Sequence, residues 1–203
     1  MKKGEISIIQ EYKIKKSQID AKLKEFRSLS EEEYFQEFIF CILTPQSNAK
    51  KCWEAVEQLI LLQNWSKYSL SQVLKTKTRF HNNKALYLLE AKNTWKDIKK
   101  SLNKKNAREI RNFLAGNVRG YGLKEASHFL RNIGKSNNEI AILDRHILRN
   151  LKALRIIKEK RIKNKKIYLE VEKKFIDFSK KINIPLDSLD LLFWSRESGE
   201  IFK

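Results

Sequence analysis

The stretch that decides the fold of this chain runs VRGYGLKEA from Val118 to Ala126. Within it, Gly120 and Gly122 flank a single tyrosine directly before a helical pattern, and glycine allows the backbone to turn tightly at such a point. Asn106 is placed to cap a short helix before the turn, and Gly134 is placed to end the helix after it. The segment therefore predicts a helix, a hairpin turn and a second helix.

The hairpin turn places backbone amides at the start of the second helix, where amides bind phosphate groups. One interpretation is therefore that Gly120 and Gly122 contact the phosphates of DNA. The other is a plain tight turn, which Val118 and Tyr121 anchor in the core. The basic Arg119 inside the turn favours the phosphate interpretation.

The whole chain is strongly basic. Its 203 residues include 43 Lys and Arg but 24 Asp and Glu, which leaves a net charge of +19. Such a charge concentrates polyanions around a protein, so a nucleic acid is the predicted partner, although lysine-rich faces that only solvate the surface are the alternative. The apolar runs at Phe38–Leu43 and Leu189–Trp194 are much shorter than the roughly 18 residues of a membrane span. Because the residues after Met1 also lack the apolar region of a secretory signal, we expect a cytoplasmic, nucleoid-associated prokaryotic protein without a membrane partner.

Composition also predicts the fold class. Six glycines and two prolines provide little of the turn punctuation that a β-rich fold needs, so an all-α fold is favoured. The length suits one domain, with room for two lobes. Two cysteines, Cys41 and Cys52, are too few for a disulfide framework or a four-ligand zinc or iron–sulfur site, and we expect them to fill the core.

Local patterns predict several of the helices. Ser30 followed by Glu33 forms a capping-box pattern before an apolar run at helical spacing, and that helix should end before Pro45. A second helix should begin near Ser47 or Asn48. Two further helices are predicted, one from about residue 83 to 95 and one across residues 167 to 182.

Lys124 stands out chemically because it lies in the first turn of the helix that follows the hairpin. The positive end of the helix dipole and the surrounding positive charge both disfavour an ammonium there, so a lowered pKa is expected. Such an amine can form a Schiff base with a carbonyl or with C1′ of a sugar. The alternative is a lysine that only contacts phosphate. His128, four residues on, shares its helix face and is either a satisfied core or surface histidine or part of the same site.

Asp144 follows an apolar triplet and precedes another helical pattern, which is the position of an N-cap. Capping alone would explain it. An oriented carboxylate near Lys124 would also stabilise an oxocarbenium-like transition state and help to deprotonate the lysine. The spacing does not decide between these interpretations.

The segment Val118–Ala126, followed by Leu143–Arg149, resembles the helix-hairpin-helix DNA glycosylase superfamily, which has a hairpin lysine and a downstream aspartate. The four-cysteine iron–sulfur loop of the endonuclease III branch is absent from this sequence. Further segments resemble the compact 8-oxoguanine DNA glycosylase/lyase family of archaea and some bacteria: Leu43–Ser47, Arg79–Ala85, Lys124–Asn132 and Asp190–Lys203. Together they extend from about residue 30 to the last residue.

The resemblance implies an all-α helix-hairpin-helix glycosylase fold without an iron–sulfur cluster. It implies one glycosylase domain over residues 1–203, in which a lobe at about 45–134 and a lobe from 1–44 plus 135–203 flank a DNA-binding cleft. The implied partner is double-stranded DNA containing oxidised guanine, bound by a monomer. It implies no cofactor and no metal centre, although carbonyls of the hairpin could hold a monovalent cation.

The resemblance also assigns roles to residues. Lys124 would displace the oxidised base and form the Schiff base for β-elimination, with Asp144 as its catalytic partner. The residues assigned to base recognition are Asp190, Trp194, Lys203 and His128. Those assigned to DNA contacts are Gly120 and Gly122 on phosphate, and Gln46, Arg79 and Phe80 at the gap left by the extruded base. Core packing is the alternative for Trp194, and a frayed tail is the alternative for Lys203.

Two alternative functions remain open at this stage. The first is a non-enzymatic helix-hairpin-helix DNA-binding module in which Lys124 only contacts phosphate. The second is a glycosylase for another oxidised base. Asp144 after its apolar triplet and the aromatic Trp194 both speak against a pure binding module.

Overall fold

The computed structural model describes residues 3–103 and 106–203. Over these ranges the chain forms ten α-helices and no strand, so the predicted all-α fold is confirmed. Met1 and Lys2, which begin the stretch tested for a secretory signal, lie outside the described residues. The helices are α1 Lys3–Ser28, α2 Glu31–Leu43, α3 Ala49–Ile60, α4 Lys67–Leu74, α5 His81–Ser101, α6 Ala107–Asn117, α7 Leu123–Asn132, α8 Arg145–Ala153, α9 Lys165–Lys181 and α10 Leu186–Ser198.

The chain divides into two compact units. One consists of Leu29–Phe129, which we call the hairpin unit, and the other of Met1–Ser28 with Leu130–Lys203, which we call the terminal unit. Residues 29–44, grouped with the chain ends in the sequence analysis, fall in the hairpin unit because α2 packs against α3 and α5. None of the described helices is long and apolar enough to cross a membrane.

The hairpin unit is built on α2. Its start is the predicted capping box, in which the Ser30 hydroxyl accepts from the Glu33 amide and the Glu33 carboxylate accepts from the Ser30 amide. The helix ends at Leu43, before Pro45 as predicted, and the side chains from 38 to 43 are all buried. Asn48 caps α3 as predicted. Cys41 and Cys52 are buried and unbridged, which confirms their prediction as core residues.

An aromatic cluster centred on Phe38 joins the hairpin turn to this helix. The Phe38 ring centroid lies 5.1 Å from that of Trp95, 5.2 Å from that of Tyr121 and 5.4 Å from that of Phe129. The buried Tyr121 hydroxyl also donates a 2.8 Å hydrogen bond to the Phe38 carbonyl. Replacing such a buried aromatic by alanine costs about 3–5 kcal/mol, so the turn is tied firmly to the core.

The terminal unit is built around α10, which packs against α1, α8 and α9. Most of α10 is buried, and its Phe193 ring stacks on Phe175 of α9 with 5.8 Å between centroids. Helix α1 was not predicted from the sequence, because its buried apolar side chains are few for its 26 residues. They are Ile8, Tyr12, Ile19 and Phe26.

Candidate functional site

The hairpin turn occupies Val118–Gly122, between α6 and α7. Val118 and Tyr121 are each 7% exposed, which confirms that they anchor the turn in the core. Gly120 has a φ of +92°, and a Cβ added there would lie 2.8 Å from the Tyr87 ring. Glycine is therefore required at this position by both backbone conformation and space. The Arg119 guanidinium covers the same ring at 4.9 Å from its centroid.

The amide of Gly122 has a partner inside the protein. It donates a 3.1 Å hydrogen bond to Oε2 of Glu125, three residues on, as in the second half of a capping box. The sequence analysis assigned this amide to DNA phosphate. The structure corrects that assignment in one respect: a phosphate at Gly122 has to share or displace the Glu125 carboxylate.

Lys124 lies in the first turn of α7, as predicted, and its side chain is 27% exposed. Its Nζ is 3.1 Å from Oε1 of Glu125, so one carboxylate contacts both the candidate nucleophile and the hairpin amide. Sequence reasoning missed Glu125. Its position three residues after Gly122, in the first turn of the helix, is the signal that could have identified it.

His128 is buried on the same helix. It is 8% exposed, and its ring packs edge to face against Phe40 with 5.6 Å between centroids. This placement favours the interpretation as a core histidine, which the sequence analysis left open beside base recognition.

Asp144 is the N-cap of α8, as predicted, and is half-buried. Its Oδ1 accepts from the amides of His146 and Ile147, each at 2.8 Å. Both bonds end on the same oxygen, so the cap itself leaves Oδ2 to other partners. The side chain is therefore held rigidly by backbone amides while part of its carboxylate stays available for chemistry.

Asp190 is engaged inside the terminal unit. Its Oδ2 lies 3.1 Å from Nη2 of Arg131, and both side chains are buried. The pKa of Asp190 is raised to about 7, chiefly by burial; the Arg131 charge opposes this rise, and the nearby charges of Asp144 and Asp187 contribute to it. Arg131 was not singled out in the sequence, because nothing local distinguishes it from the other basic residues of the chain.

The end of the chain is ordered around Trp194. This side chain is half-buried, and its ring centroid is 6.2 Å from that of Phe202. Lys203 is 8% exposed. The frayed-tail alternative for Lys203 is therefore wrong, and Trp194 keeps part of its surface open to solvent.

Gln46, Arg79 and Phe80 lie in two loops of the hairpin unit. Gln46 and Phe80 are exposed and both have left-handed backbone conformations, with φ of 55° and 57°. The Arg79 guanidinium lies 5.3 Å from the centroid of the Phe80 ring. The two loops are joined, since the Arg79 amide donates a 3.0 Å hydrogen bond to Ser47 Oγ.

A buried lysine, Lys84, holds the same two loops together. Its Nζ donates to the Leu43 carbonyl at 2.7 Å, to the Pro45 carbonyl at 3.0 Å and to Ser47 Oγ at 2.9 Å. The pKa of Lys84 is lowered to about 8, chiefly by burial, and the charge of Lys124 contributes to this lowering. Sequence reasoning did not identify Lys84, because its partners are far away in the sequence.

The predicted site residues therefore fall into two sets. The hairpin unit contains the turn glycines, Lys124, His128 and the two loops with Gln46, Arg79 and Phe80. The terminal unit contains Asp144, Asp190, Trp194 and Lys203. Within the hairpin unit, the charge of Lys124 acts on Lys84, so the candidate nucleophile lies near the network that joins the loops.

Comparisons with known proteins identify the family to which this chain belongs. A family model described as 8-oxoguanine DNA glycosylase matches residues 19–184. A protein of Fusobacterium nucleatum named 8-oxoguanine DNA glycosylase/AP lyase is 41% identical, and the match covers 100% of both chains. The crystal structure of the Thermotoga maritima 8-oxoguanine DNA glycosylase superposes with a TM-score of 0.88 at 27% identity, covering 98% of each chain.

A further solved structure is the Methanocaldococcus jannaschii 8-oxoguanine glycosylase/lyase in complex with a 15mer DNA containing 8-oxoguanine. It superposes with a TM-score of 0.85 at 34% identity and covers 98% of this chain and 100% of that chain. The resemblance found in the sequence is thus confirmed. With its helix-hairpin-helix architecture and full-length relatives, this chain belongs to the 8-oxoguanine DNA glycosylase family.

Proposed function

We propose that this protein excises 8-oxoguanine from duplex DNA and then cleaves the resulting abasic site by β-elimination. The observation that carries the proposal is the partly exposed amine of Lys124, which directly follows the glycine hairpin at the start of α7. Relatives that match 100% and 91% of the chain are named 8-oxoguanine DNA glycosylase/AP lyase, which supports both steps.

Lys124 is the proposed nucleophile. Its unprotonated amine bonds to C1′ of the damaged nucleotide while the bond from C1′ to N9 of the base breaks, and the electron pair leaves with the base. Opening of the sugar ring gives a Schiff base between Nζ and C1′. Loss of a proton from C2′ then expels the 3′ phosphate and cuts the strand. Because C1′ has to be reached, the nucleotide must leave the base stack.

Asp144 is the proposed catalytic carboxylate. Positive charge develops on the sugar as the base departs, and a fixed carboxylate stabilises that charge. The support for this role is its geometry: two amides of α8 hold Oδ1, so the side chain is already oriented before substrate binds.

Contacts to the DNA backbone are proposed for the hairpin turn and for the basic surface. Gly120 adopts the positive φ that allows the tight turn before α7, and the net charge of +19 supports binding of a polyanion. Recognition of the oxidised base is proposed for Asp190, Trp194 and Lys203, with Trp194 stacking on the base.

Borohydride trapping tests the proposed function directly. The protein is incubated with duplexes that carry 8-oxoguanine, an abasic site or undamaged guanine, and the Schiff base is reduced in place. We expect a covalent protein–DNA adduct on the first two duplexes and none on the third. Binding to all three without any adduct would support the alternative of a non-enzymatic DNA-binding module.

A further inference from the structure

Lys84 is a buried ammonium group whose donors all serve one loop. It lies in the first turn of α5, is 3% exposed, and donates to two carbonyls and one hydroxyl between residues 43 and 47. Burying an ammonium is costly unless its hydrogen bonds are satisfied. Here three acceptors converge on the three N–H donors of Lys84, so the fold provides a specific site for this ammonium.

Ser47 extends this network to the second loop. Its Oγ accepts from Lys84 Nζ at 2.9 Å and from the Arg79 amide at 3.0 Å, and it donates to the Pro45 carbonyl at 3.3 Å. Lys84 and Ser47 therefore join the loop that contains Gln46 to the turn that contains Arg79 and Phe80.

The two residues that these loops display have strained backbones. Gln46 and Phe80 both adopt positive φ without being glycine, and Phe80, the N-cap residue of α5, has no side-chain cap bond. In a residue other than glycine this conformation is strained and persists when the surroundings force it, a situation that is common at ligand-binding sites. Phe80 is nevertheless 52% exposed, so burial of its ring does not explain the strain.

We propose that Lys84 is a positioning residue that holds Gln46 and Phe80 in their strained conformations, so that their side chains enter the gap left in the duplex by the extruded base. This inference rests on the proposed function, because the gap exists only if a base is extruded. Lys84 acts through these two residues and does not itself touch the DNA.

The requirement for lysine follows from donor count. An ammonium has three rotatable donors and matches three convergent oxygens, whereas the planar guanidinium of arginine cannot present its donors to one point. The titratable groups that act on Lys84 are Cys52 of α3, whose thiolate form favours the ammonium, and Lys124 and Arg79, whose positive charges disfavour it. Loss of the proton leaves two donors for three acceptors.

The test compares two activities of each variant. Excision of 8-oxoguanine from duplex DNA requires the gap to be filled, whereas β-elimination at an abasic site in a single strand involves no opposite base. We expect Lys84→Met to lower duplex excision about 10- to 100-fold, which corresponds to the loss of hydrogen bonds to a charged group, and to leave single-strand cleavage within about twofold. Lys84→Arg keeps the charge and is expected to behave like Lys84→Met.

Two further variants complete the test. Lys96→Met removes the same charge from an exposed position of the same helix and should leave both activities unchanged. Ser47→Ala removes the oxygen that joins the two loops and should reproduce the selective loss of duplex excision. If Lys84→Met does not fold, the Ser47→Ala variant tests the positioning role in its place.

The pH profile adds a measurement that a merely structural lysine would not change. The ratio of duplex excision to single-strand cleavage compares two activities that both use the Lys124 amine. In the wild type this ratio should fall as the pH rises through about 8, where Lys84 loses its proton, and in Lys84→Met it should be flat.

The outcomes separate this inference from the proposed function. A wild type that neither excises 8-oxoguanine nor cleaves abasic sites would contradict the proposed function. An active wild type whose Lys84→Met and Ser47→Ala variants keep an unchanged ratio of the two activities would overturn the positioning role alone.

Discussion

The guanidinium of Arg131 and the carboxylate of Asp190 form a buried ion pair, with 3.1 Å between Nη2 and Oδ2. Arg131 also lies over the Phe26 ring at 5.1 Å, and among the described residues no group accepts from its Nε and Nη1. Asp190 is therefore the ion-pair partner that this arginine has in the interior. The Asp190 carboxylate proposed for base recognition is therefore already paired with Arg131, and its charge depends on pH.

The first prediction concerns the pH dependence of stability. Burial raises the pKa of Asp190 from 3.8 to about 7, so between these values the native state binds a proton that the unfolded state does not. The contribution of Asp190 to the free energy of unfolding is therefore full below pH 3.8 and is lost as the pH rises through about 7. In Asp190→Asn this pH-dependent contribution to the free energy of unfolding should be absent. Urea unfolding of both proteins at pH 5 and pH 8 measures the difference.

The control for that experiment is Asp177→Asn, which removes an exposed carboxylate. It should keep the wild-type difference between the two pH values. At pH 8, where the Asp190 carboxyl is ionised, Asp190→Asn should also be less stable, because it removes the charge that pairs with the buried Arg131, at a cost of about 3–5 kcal/mol. An unchanged pH dependence in Asp190→Asn would show that its carboxyl does not titrate in this range.

The second prediction concerns the nucleophile. Lys124→Gln should bind lesion-containing duplex with near wild-type affinity and lose borohydride trapping and strand cleavage together, because both need the same amine. Gel analysis of the reduced complex measures the adduct. If the adduct persists in this variant, the nucleophile is another amine, such as that of the N-terminus.

The third prediction separates the two interpretations of Asp144. Asparagine caps helices as well as aspartate does, so Asp144→Asn should keep the free energy of unfolding while lowering excision by about 100-fold or more. Asp144→Ala should lose the cap as well and become less stable by about 0.5–2 kcal/mol. Single-turnover excision and urea unfolding measure the two effects, and full activity of Asp144→Asn would reduce this residue to a helix cap.

The fourth prediction concerns the hairpin turn. Gly120→Ala places a methyl group 2.8 Å from the Tyr87 ring at a φ of +92°, so it should weaken binding to damaged and undamaged duplex alike. Gly116→Ala is the matched control, because a Cβ at this position of α6 meets nothing within 4 Å. It should bind normally and be more stable by about 0.5–1 kcal/mol.

Salt titration of the wild type checks the same phosphate contacts. The logarithm of the binding constant should fall by roughly 0.9 per log unit of salt for each phosphate that the protein neutralises. A salt-insensitive binding constant would be incompatible with a backbone interface.

The fifth prediction concerns the base pocket. Trp194→Ala, deletion of Lys203 and extension of the chain beyond Lys203 should each lower excision of 8-oxoguanine far more than cleavage of a preformed abasic site. The reason is that the abasic substrate has no base to stack or to recognise, and stacking contributes about 1–3 kcal/mol. Parallel assays on the two substrates measure the difference. Equal losses on the two substrates would indicate a folding defect. No loss on either substrate would contradict the proposal that the C-terminal segment forms part of the base pocket.

Much of the fold is predictable because its signals are local. Ser30, Asn48, Asn106 and Asp144 were each expected at or near the start of a helix, and each caps one through amides two or three residues away. The glycine hairpin is equally local. These interactions depend on neighbours in the sequence, so they can be predicted without a tertiary structure.

Helix α1 was missed because its stability has another origin. Its buried apolar side chains recur at helical spacing but are few for its length, and the helix packs against α10, whose residues lie more than 150 positions later. Such a helix is easily missed from the sequence, because tertiary packing provides most of its stability.

The sequence alone determined the all-α class, the hairpin with Lys124 at the start of its second helix and the capping position of Asp144. Only the tertiary structure decided that Glu125 engages both Gly122 and Lys124, that Arg131 pairs with Asp190, and that Lys84 joins two loops. The partners of Lys84 lie 37 to 41 residues away, and those of Arg131 lie 59 away, so no local pattern marks them. Burial selects these pairs, because a charge removed from water must find its partner wherever the fold provides one.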